Sequence, residues 1–196
     1  ARDMTYAGMH TGMKGLLDTA PLIEKLGTLD GHDVCNSALM TWDSRSLDDY
    51  REGIEVLNRA GKELRKAGIH LHYHNHAFEF EPVEGDQTGM DLLLEGLDPS
   101  CVDLCVDVGW VTKAGHNPVA FLKEHDERIG YLHFKDFNDD GWIELGQGAV
   151  NFDGIMEVLP QMSRVRWVLI EQDSTDIDPL DSVKASRDYL KQRFDY

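Results

Sequence analysis

The chain has 196 residues, of which 41% are hydrophobic and 28% are charged, and its formal net charge is −17. This length and apolar content predict one domain over residues 1–196, and they exclude a disordered or fibrous protein. The negative charge argues against a nucleic-acid partner, because such partners are held by clustered Lys and Arg. No run of about 20 apolar residues indicates a membrane span.

The cysteines indicate a reducing compartment. Cys35, Cys101 and Cys105 are odd in number, form no CxxC pair and lie in apolar, strand-like segments. We therefore expect reduced thiols in the core and a cytoplasmic protein.

Strand-like and helix-like segments alternate along the chain without long linkers. Apolar runs bounded by turn residues predict strands near 4–10, 33–40, 69–75, 102–108, 129–135 and 166–172. Helical periodicity predicts helices near 13–27, 47–67, 88–96, 117–127, 152–163 and 179–192. Ser46, Asn117 and Asp178 are suited to cap three of these helices, and Gly68 is suited to end the long one. The repeated βα order predicts a parallel sheet with right-handed crossovers.

The number of βα units matters for the fold. We count six, whereas a closed (β/α)₈ barrel needs eight and typically about 250 residues. We therefore expect an α/β fold of the TIM (β/α)₈ type with about six units present and two N-terminal units missing. Alternatively, the protein closes its sheet by pairing with a second chain as a homo-oligomer, since an open sheet edge favours aggregation.

The strand over residues 69–75 carries a histidine at every second position. Side chains two residues apart share a face of a strand, so His70, His72, His74 and His76 are expected to point the same way. Such a strand is suited to be the wall of a polar or metal site.

Three later strands also end in a residue that can bind a metal. Asp107, His133 and Glu171 each follow or close an apolar run. A parallel barrel builds its active site in this way, with one chemical group from each of several strand ends.

Five motifs in the same order resemble those of the sugar phosphate isomerase/epimerase family, the xylose isomerase-like TIM barrel group. They lie at residues 73–80 (YHNHAFEF), 106–110 (VDVGW), 132–136 (LHFKD), 145–148 (LGQG) and 170–173 (IEQD). The resemblance runs from about residue 4 to residue 190. It implies a divalent metal at the C-terminal mouth of the barrel.

The resemblance implies one metal ligand from each of four strands, namely His74, Asp107, His133 and Glu171. Two carboxylates and two imidazoles suit Mn²⁺, Co²⁺, Fe²⁺, Zn²⁺ or Mg²⁺. His74 departs from many epimerases of this group, which have a glutamate there that both binds the metal and moves a proton.

The chemistry implied is enolisation of a small sugar or keto-sugar, phosphorylated or not, by removal of a proton next to a carbonyl. Glu171 is the first candidate base and His76 the second, while Lys135 is suited to neutralise a substrate oxygen or phosphate. Further residues expected to contact the substrate are His10, Trp42, Trp110 and, from the loop before Gly146, Glu144.

The expected function is that of a metal-dependent isomerase or epimerase. A keto-sugar dehydratase or lyase, of the inosose dehydratase or keto-glycoside lyase type, is the alternative that His74 favours. Both reactions share the enediolate step. A non-catalytic sugar-binding barrel is a third hypothesis, because a fold does not fix a function. An abasic-site nuclease of the same barrel type conflicts with the charge of −17.

Several of these candidate site residues are also suited to a purely structural role. Asp107 is at a position where an aspartate commonly caps a helix. Glu171 is also suited to a structural ion pair with Lys135, and Trp110 to plain packing. Glu144 is equally suited to be a surface carboxylate. An acidic loop that we expect to be solvated contains Asp173, Asp176 and Asp178.

Overall fold

The computed structural model describes residues 4–196, whose contacts divide the chain into two compact units. The first unit ends at Cys105 and the second runs from Val106 to Tyr196. The single domain over residues 1–196 stays a prediction.

The first unit contains a parallel sheet in the order β1, β2, β3, β6. Its strands are β1 (Met9–Thr11), β2 (Asp33–Asn36), β3 (His70–His74), the hairpin strands β4 (Pro82–Glu84) and β5 (Gln87–Thr88), and β6 (Val102–Asp107), whose last two residues belong to the second unit. Its helices are α1 (Met13–Leu17), α2 (Ala20–Leu29), α3 (Leu47–Lys66), the 3₁₀ turn Phe78–Phe80 and α4 (Gly89–Gly96).

Helix α3 is the longest element of the first unit, and its start was predicted from the sequence. The Ser46 hydroxyl accepts a hydrogen bond from the backbone N–H of Asp49, and the Asp49 carboxylate accepts one from the backbone N–H of Ser46. This reciprocal cap satisfies two N–H groups that have no partner inside the helix. Gly61 lets the helix approach the sheet, since a Cβ there would lie 2.8 Å from the backbone oxygen of Cys101.

The histidines of β3 do share one face. The rings of His70 and His72 stack at 6.4 Å, and those of His74 and His76 meet at 4.9 Å. His72 Nε2 lies 2.9 Å from Asp33 Oδ1, and both side chains are buried. The first half of the strand therefore uses its imidazoles in the protein's own polar contacts, whereas His74 and His76 lie at its carboxyl end.

The second unit contains β7 and β10 as parallel neighbours. Its strands are β7 (Ile129–Phe134), the antiparallel hairpin β8 (Asp136–Asn138) and β9 (Gly141–Ile143), and β10 (Trp167–Ile170). Its helices are α5 (Val108–Lys113), α6 (Pro118–Glu124), the 3₁₀ turn Asp126–Arg128, α7 (Phe152–Val158), the 3₁₀ turn Leu159–Gln161 and α8 (Pro179–Phe194). The predicted caps Asn117 and Asp178 both accept hydrogen bonds from backbone N–H groups of the helices they precede.

The six strands and the six helices predicted in alternation are all present, which confirms the α/β order. The predicted helix over 13–27 is wrong in one respect, because it is interrupted at Asp18 and restarts before Pro21, a residue suited to a first helical turn. The strand expected over 4–10 begins only at Met9, and the strand expected over 33–40 ends at Asn36. The hairpins β4–β5 and β8–β9 and the short helix α5 were not predicted.

The side chains of Cys35, Cys101 and Cys105 are buried, and these three cysteines form no disulfide within residues 4–196. Across residues 4–196, no helix is both long and apolar enough to cross a bilayer.

Candidate active site

Asp107 ends β6 and caps helix α5 of the second unit. Its Oδ1 accepts a hydrogen bond from the backbone N–H of Trp110 at 3.0 Å, while Oδ2 lies 3.9 Å from Lys135 Nζ. Burial raises the pKa of this carboxyl well above its usual range, and the ammonium of Lys135 opposes that rise. The helix-cap interpretation is thus correct for one oxygen, and the second oxygen faces a buried cation.

Lys135 is a fully buried cation directly after β7. Its Nζ lies 2.6 Å from Asp173 Oδ2 and 3.3 Å from Glu171 Oε1. Gly109 makes room for this segment, since a Cβ there would stand 2.7 Å from the Lys135 carbonyl oxygen. A buried ammonium needs such partners, because an unpaired charge is costly away from water.

Glu171 lies between an imidazole and an ammonium. Its Oε2 contacts His133 Nδ1, and its Oε1 faces Lys135. The backbone N–H of Glu171 donates to the Phe134 carbonyl oxygen at 2.9 Å, which fixes the residue beside the end of β7. The side chain of His133 is 4% exposed and that of Glu171 is 22% exposed, so solvent reaches this group from the Glu171 side.

Two tryptophans form an aromatic wall beside Lys135. The indoles of Trp110 and Trp142 meet edge to face at 4.5 Å. Lys135 Nζ lies 4.2 Å from the Trp142 ring centroid, and the exposed Lys113 Nζ lies 4.4 Å from the same centroid. An indole face attracts cations, so Trp142 stabilises the charge that Asp173 and Glu171 also neutralise.

Asp136 organises the loop that follows the β8–β9 hairpin. Its buried carboxylate accepts hydrogen bonds from the backbone N–H groups of Phe137, Gly146, Gly148 and Val150 at 2.9 to 3.1 Å. Gly146 has φ +82°, a conformation that favours glycine. The glycine turn is therefore fixed by the aspartate next to Lys135.

The first unit holds a second group of predicted residues. The ring of His74 meets that of His10 at 5.3 Å, and its Nδ1 lies 3.8 Å from the Cys105 sulfur. The ring of His76 meets Trp42 edge to face at 4.8 Å, and Trp42 is 54% exposed.

The structure brings together Asp107, Trp110, His133, Lys135 and Glu171 in the second unit, and His10, Trp42, His74 and His76 in the first.

Glu144 has a different partner, since it accepts a hydrogen bond from the Thr175 hydroxyl at 3.0 Å. Asp173 is exposed, as expected for a solvated loop, but its carboxylate also pairs with the buried Lys135, which was not predicted. Asp178 caps α8.

Sequence reasoning missed four residues of these groups. They are Glu79, Asp136, Trp142 and, as a partner of Lys135, Asp173. Glu79 and Asp136 lie inside the quoted motifs, and an acid directly after Lys135 and before a Gly-x-Gly turn could have indicated the loop contact. Trp142 lies on an unpredicted hairpin, so its position was not available from the pattern.

Two donors of the second unit are placed to bind a divalent metal. His133 and Glu171 offer an imidazole and a carboxylate that are already in contact, whereas Asp107 stays a predicted ligand, because its Oδ1 caps Trp110 and its Oδ2 faces Lys135. This mixture of nitrogen and oxygen donors suits the divalent ions of the manganese-to-zinc series.

Comparison with known proteins identifies the family. Residues 19–193 match the family described as xylose isomerase-like TIM barrel. The chain belongs to this family, which confirms both the predicted fold class and the resemblance inferred from the motifs.

Three known proteins illustrate what this chain is similar to. An inosose dehydratase of Clostridium beijerinckii is 27% identical, with 74% of this chain and 55% of that protein aligned. A solved sugar phosphate isomerase/epimerase from Parabacteroides distasonis is 23% identical, with a TM-score of 0.79 over 97% of this chain and 72% of that one. The solved IolI protein with a bound zinc atom is 15% identical, with a TM-score of 0.75 over 98% of this chain and 78% of that one.

The two structural likenesses show the fold alone. The chain spans about half the length of the curated relatives it matches.

Proposed function

We propose that the protein is a divalent-metal-dependent enzyme that removes a proton next to the carbonyl of a small sugar or keto-sugar. The observation that carries this proposal is the position of Glu171, with one carboxylate oxygen against His133 and the other against the buried Lys135. A carboxylate held beside a cation and partly shielded from water is suited to exchange a proton with carbon.

Asp107, His133 and Glu171 are the residues of the second unit that would hold the metal. His74, the fourth ligand implied by the family resemblance, belongs to the first unit and stays a prediction. When bound, a divalent metal polarises a carbonyl and an adjacent hydroxyl, which makes the neighbouring proton more acidic. The zinc atom bound to the IolI protein supports a metal in this family.

The side chains of the second unit have distinct roles in this proposal. The Glu171 carboxylate accepts the proton from carbon. The Lys135 ammonium, 3.3 Å from that carboxylate, stabilises negative charge that develops on the substrate oxygen. The indoles of Trp110 and Trp142 present apolar surface to a sugar ring and limit the access of water to Lys135.

The fate of the enediolate distinguishes two reactions. Returning the proton gives isomerisation or epimerisation, which is the reaction in the printed name of the Parabacteroides protein. Expelling a neighbouring hydroxyl gives dehydration, and the printed name of the Clostridium relative supports this second candidate. A histidine at position 74, in place of a second acid–base glutamate, favours dehydration over symmetric proton exchange.

The test follows both reactions at once. The chain is incubated with Mn²⁺, Co²⁺ or Zn²⁺ and a panel of inososes and keto-sugars in D₂O. NMR then reports deuterium incorporation next to the carbonyl and the appearance of dehydrated product. Glu171→Gln, assayed at metal concentrations that saturate it, is expected to lose both, whereas the control Glu124→Gln, at an exposed position of α6, is expected to keep them. Full turnover by metal-loaded Glu171→Gln would exclude Glu171 as the base.

Metal content tests the ligands independently of any substrate. We expect near one equivalent of metal per chain after purification without chelator, and little in Asp107→Ala. If the chain binds no metal even when it is added back, the metal-dependent proposal is wrong. Sugar binding without deuterium exchange would favour the non-catalytic barrel.

A further inference from the structure

A polar cleft lies in the second unit, between the loop that follows β10 and the start of α8. Residues 172–175 of the loop line it, together with Pro179, Ser182 and Val183 of the helix. Its volume is about 350 Å³. Sites for small molecules have volumes of about 300 to 1,000 Å³, so the cleft is large enough for one.

Two buried polar atoms of this cleft lack a hydrogen-bond partner. Ser182 is 1% exposed, and its hydroxyl completes no hydrogen bond within residues 4–196, although it lies close enough to the Glu144 carboxylate to lower the pKa of that group. Gln172 donates from Nε2 to the Ser174 carbonyl oxygen at 2.8 Å, while its buried Oε1 accepts no hydrogen bond from the described residues. Buried polar groups are nearly always paired, so we expect a bound partner to satisfy these two atoms.

The charges around the cleft disfavour an anionic ligand. Among the described residues that line it there is no cation, and the Asp173 carboxylate adds a negative charge. Lys135 pairs with Asp173 at 2.6 Å, yet two further carboxylates already approach that ammonium. A phosphate in the cleft would be repelled by Asp173, whereas a hydroxyl group can donate to Asp173 or to Gln172 Oε1.

The remaining lining offers carbon surface. Val183 is 50% exposed, and the exposed Pro179 lies one helical turn before it. A sugar ring presents hydroxyl groups at its edge and C–H groups on its faces, so it matches a cleft that combines polar atoms with apolar side chains.

Asp173 joins this cleft to the candidate active site of the second unit. The carboxylate that lines the cleft has its Oδ2 2.6 Å from Lys135 Nζ, and the same ammonium lies 3.3 Å from Glu171 Oε1. A single ion pair, Asp173 with Lys135, therefore separates the cleft from the proposed base.

We propose that the cleft binds a neutral, hydroxyl-bearing group, such as a second sugar ring, that is attached to the reacting keto-sugar. Ser182 and Gln172 hydrogen-bond this group, and Val183 contacts its carbon skeleton. The substrate is then a glycoside of a keto-sugar rather than a sugar phosphate. The inference rests on the proposed function, because it takes Glu171 as the base that acts on the adjoining ring.

The first test measures binding without any reaction. The Val183 methyl signals and the Gln172 side-chain amide signal are followed by NMR while the labelled protein is titrated with the methyl glycosides of glucose, galactose and mannose, and separately with glucose 6-phosphate. We expect saturable shifts with at least one methyl glycoside, and binding of the phosphate that is weaker by at least about tenfold. Absence of shifts with all three glycosides, or equal binding of the phosphate, would overturn the proposal.

The second test fills the cleft from the helix. Val183→Trp places a large side chain in it, and Leu180→Trp is the matched control, since Leu180 is 82% exposed on the same helix and does not line the cleft. We expect the glycoside shifts at Gln172 to disappear in Val183→Trp and to persist in Leu180→Trp. Ser182→Ala removes a hydroxyl without adding bulk and should weaken binding roughly tenfold. Parent-like binding in both Val183→Trp and Ser182→Ala would show that the glycoside binds elsewhere.

Deuterium exchange distinguishes this inference from the proposed function. With a keto-glycoside as substrate, Val183→Trp is expected to raise KM by at least about tenfold, while KM for the free keto-sugar stays unchanged. If the methyl glycosides bind in the cleft but the metal-loaded parent exchanges deuterium with neither substrate, the cleft stands as a sugar site and the proposed function fails. If exchange occurs and the methyl glycosides do not bind, the function stands and the inference is wrong.

Discussion

At the scale of single residues, Lys135 has the largest number of charged neighbours described in the second unit. This ammonium is fully buried, and three carboxylates approach it, from Asp107, Glu171 and Asp173. The motifs predicted Lys135, Asp107 and Glu171 because each lies next to the end of a recognisable strand. Asp173 lies in an exposed loop, as expected, but its pairing with Lys135 was missed, because only the folded chain brings this carboxylate to the buried cation.

Replacing Lys135 with Met should destabilise the protein by about 3 kcal/mol, because Asp107 would keep its burial and lose its cation. Lys113→Met is the control, since that lysine contacts the same indole from an exposed position. Its effect should stay within about 0.5 kcal/mol. Urea unfolding measures the free energy of unfolding of both variants. Equal losses would show that the buried cation contributes no more to stability than the exposed one.

Replacing Asp136 with Asn should loosen the glycine loop. An amide offers one acceptor oxygen where the carboxylate offers two, so at least one of the four backbone N–H groups loses its partner. We expect a loss of about 1 to 3 kcal/mol and faster hydrogen exchange at Gly146 and Gly148. Asp139→Asn, an exposed acid of the same hairpin, should change neither quantity. Unaltered exchange in Asp136→Asn would contradict the role of this aspartate.

At the scale of elements, long segments were predictable and short ones were not. Helix α3 has a marked start at Ser46, twenty helical residues and a glycine beyond its end, so pattern and capping agree. The hairpins β4–β5 and β8–β9 have strands of two or three residues, too short for an alternation to develop. Their absence from the prediction removed Trp142 from the predicted site.

Two glycines in helices offer a matched test of packing against helix propensity. Gly61→Ala should be destabilising, because the new methyl would lie 2.8 Å from both the Cys101 carbonyl oxygen and the Val102 side chain. Gly27→Ala in α2 meets no described atom within 4 Å and should stabilise by about 0.5 to 1 kcal/mol. Thermal unfolding of the two variants compares them. A gain of stability in Gly61→Ala would mean that α3 can move away from the strand at no cost.

At the scale of the whole molecule, the order of βα units and the five motifs were enough to predict the family. The division into two compact units was not predicted. It depends on which residues contact one another in the folded chain, and the spacing of residues along the sequence does not give these contacts. Likewise, the contacts that the predicted residues make inside each unit, such as His133 with Glu171 and His74 with His76, required coordinates.

The stability of the protein should fall steeply in alkali. Burial raises the pKa of Tyr50 and Tyr73, and the Glu79 carboxylate raises both further. Above about pH 10 the unfolded chain loses phenol protons that the folded chain keeps, so rising pH favours unfolding. Each tyrosine should lower the free energy of unfolding by about 1.4 kcal/mol per pH unit there.

Urea unfolding at about pH 9 and about pH 11 measures this loss in the parent and in Tyr50→Phe/Tyr73→Phe. The double variant should lose less stability between the two pH values than the parent. An identical loss in both proteins would assign the alkaline effect to other groups.

The contact between Trp110 and Trp142 also has an optical consequence. Two indoles 4.5 Å apart and inclined by 74° couple their electronic transitions and give a paired circular dichroism band. Since Lys135 lies against both rings, a ligand that draws its ammonium away would alter that band and the indole emission together. The protein thus carries its own unlabelled reporter of events at Lys135.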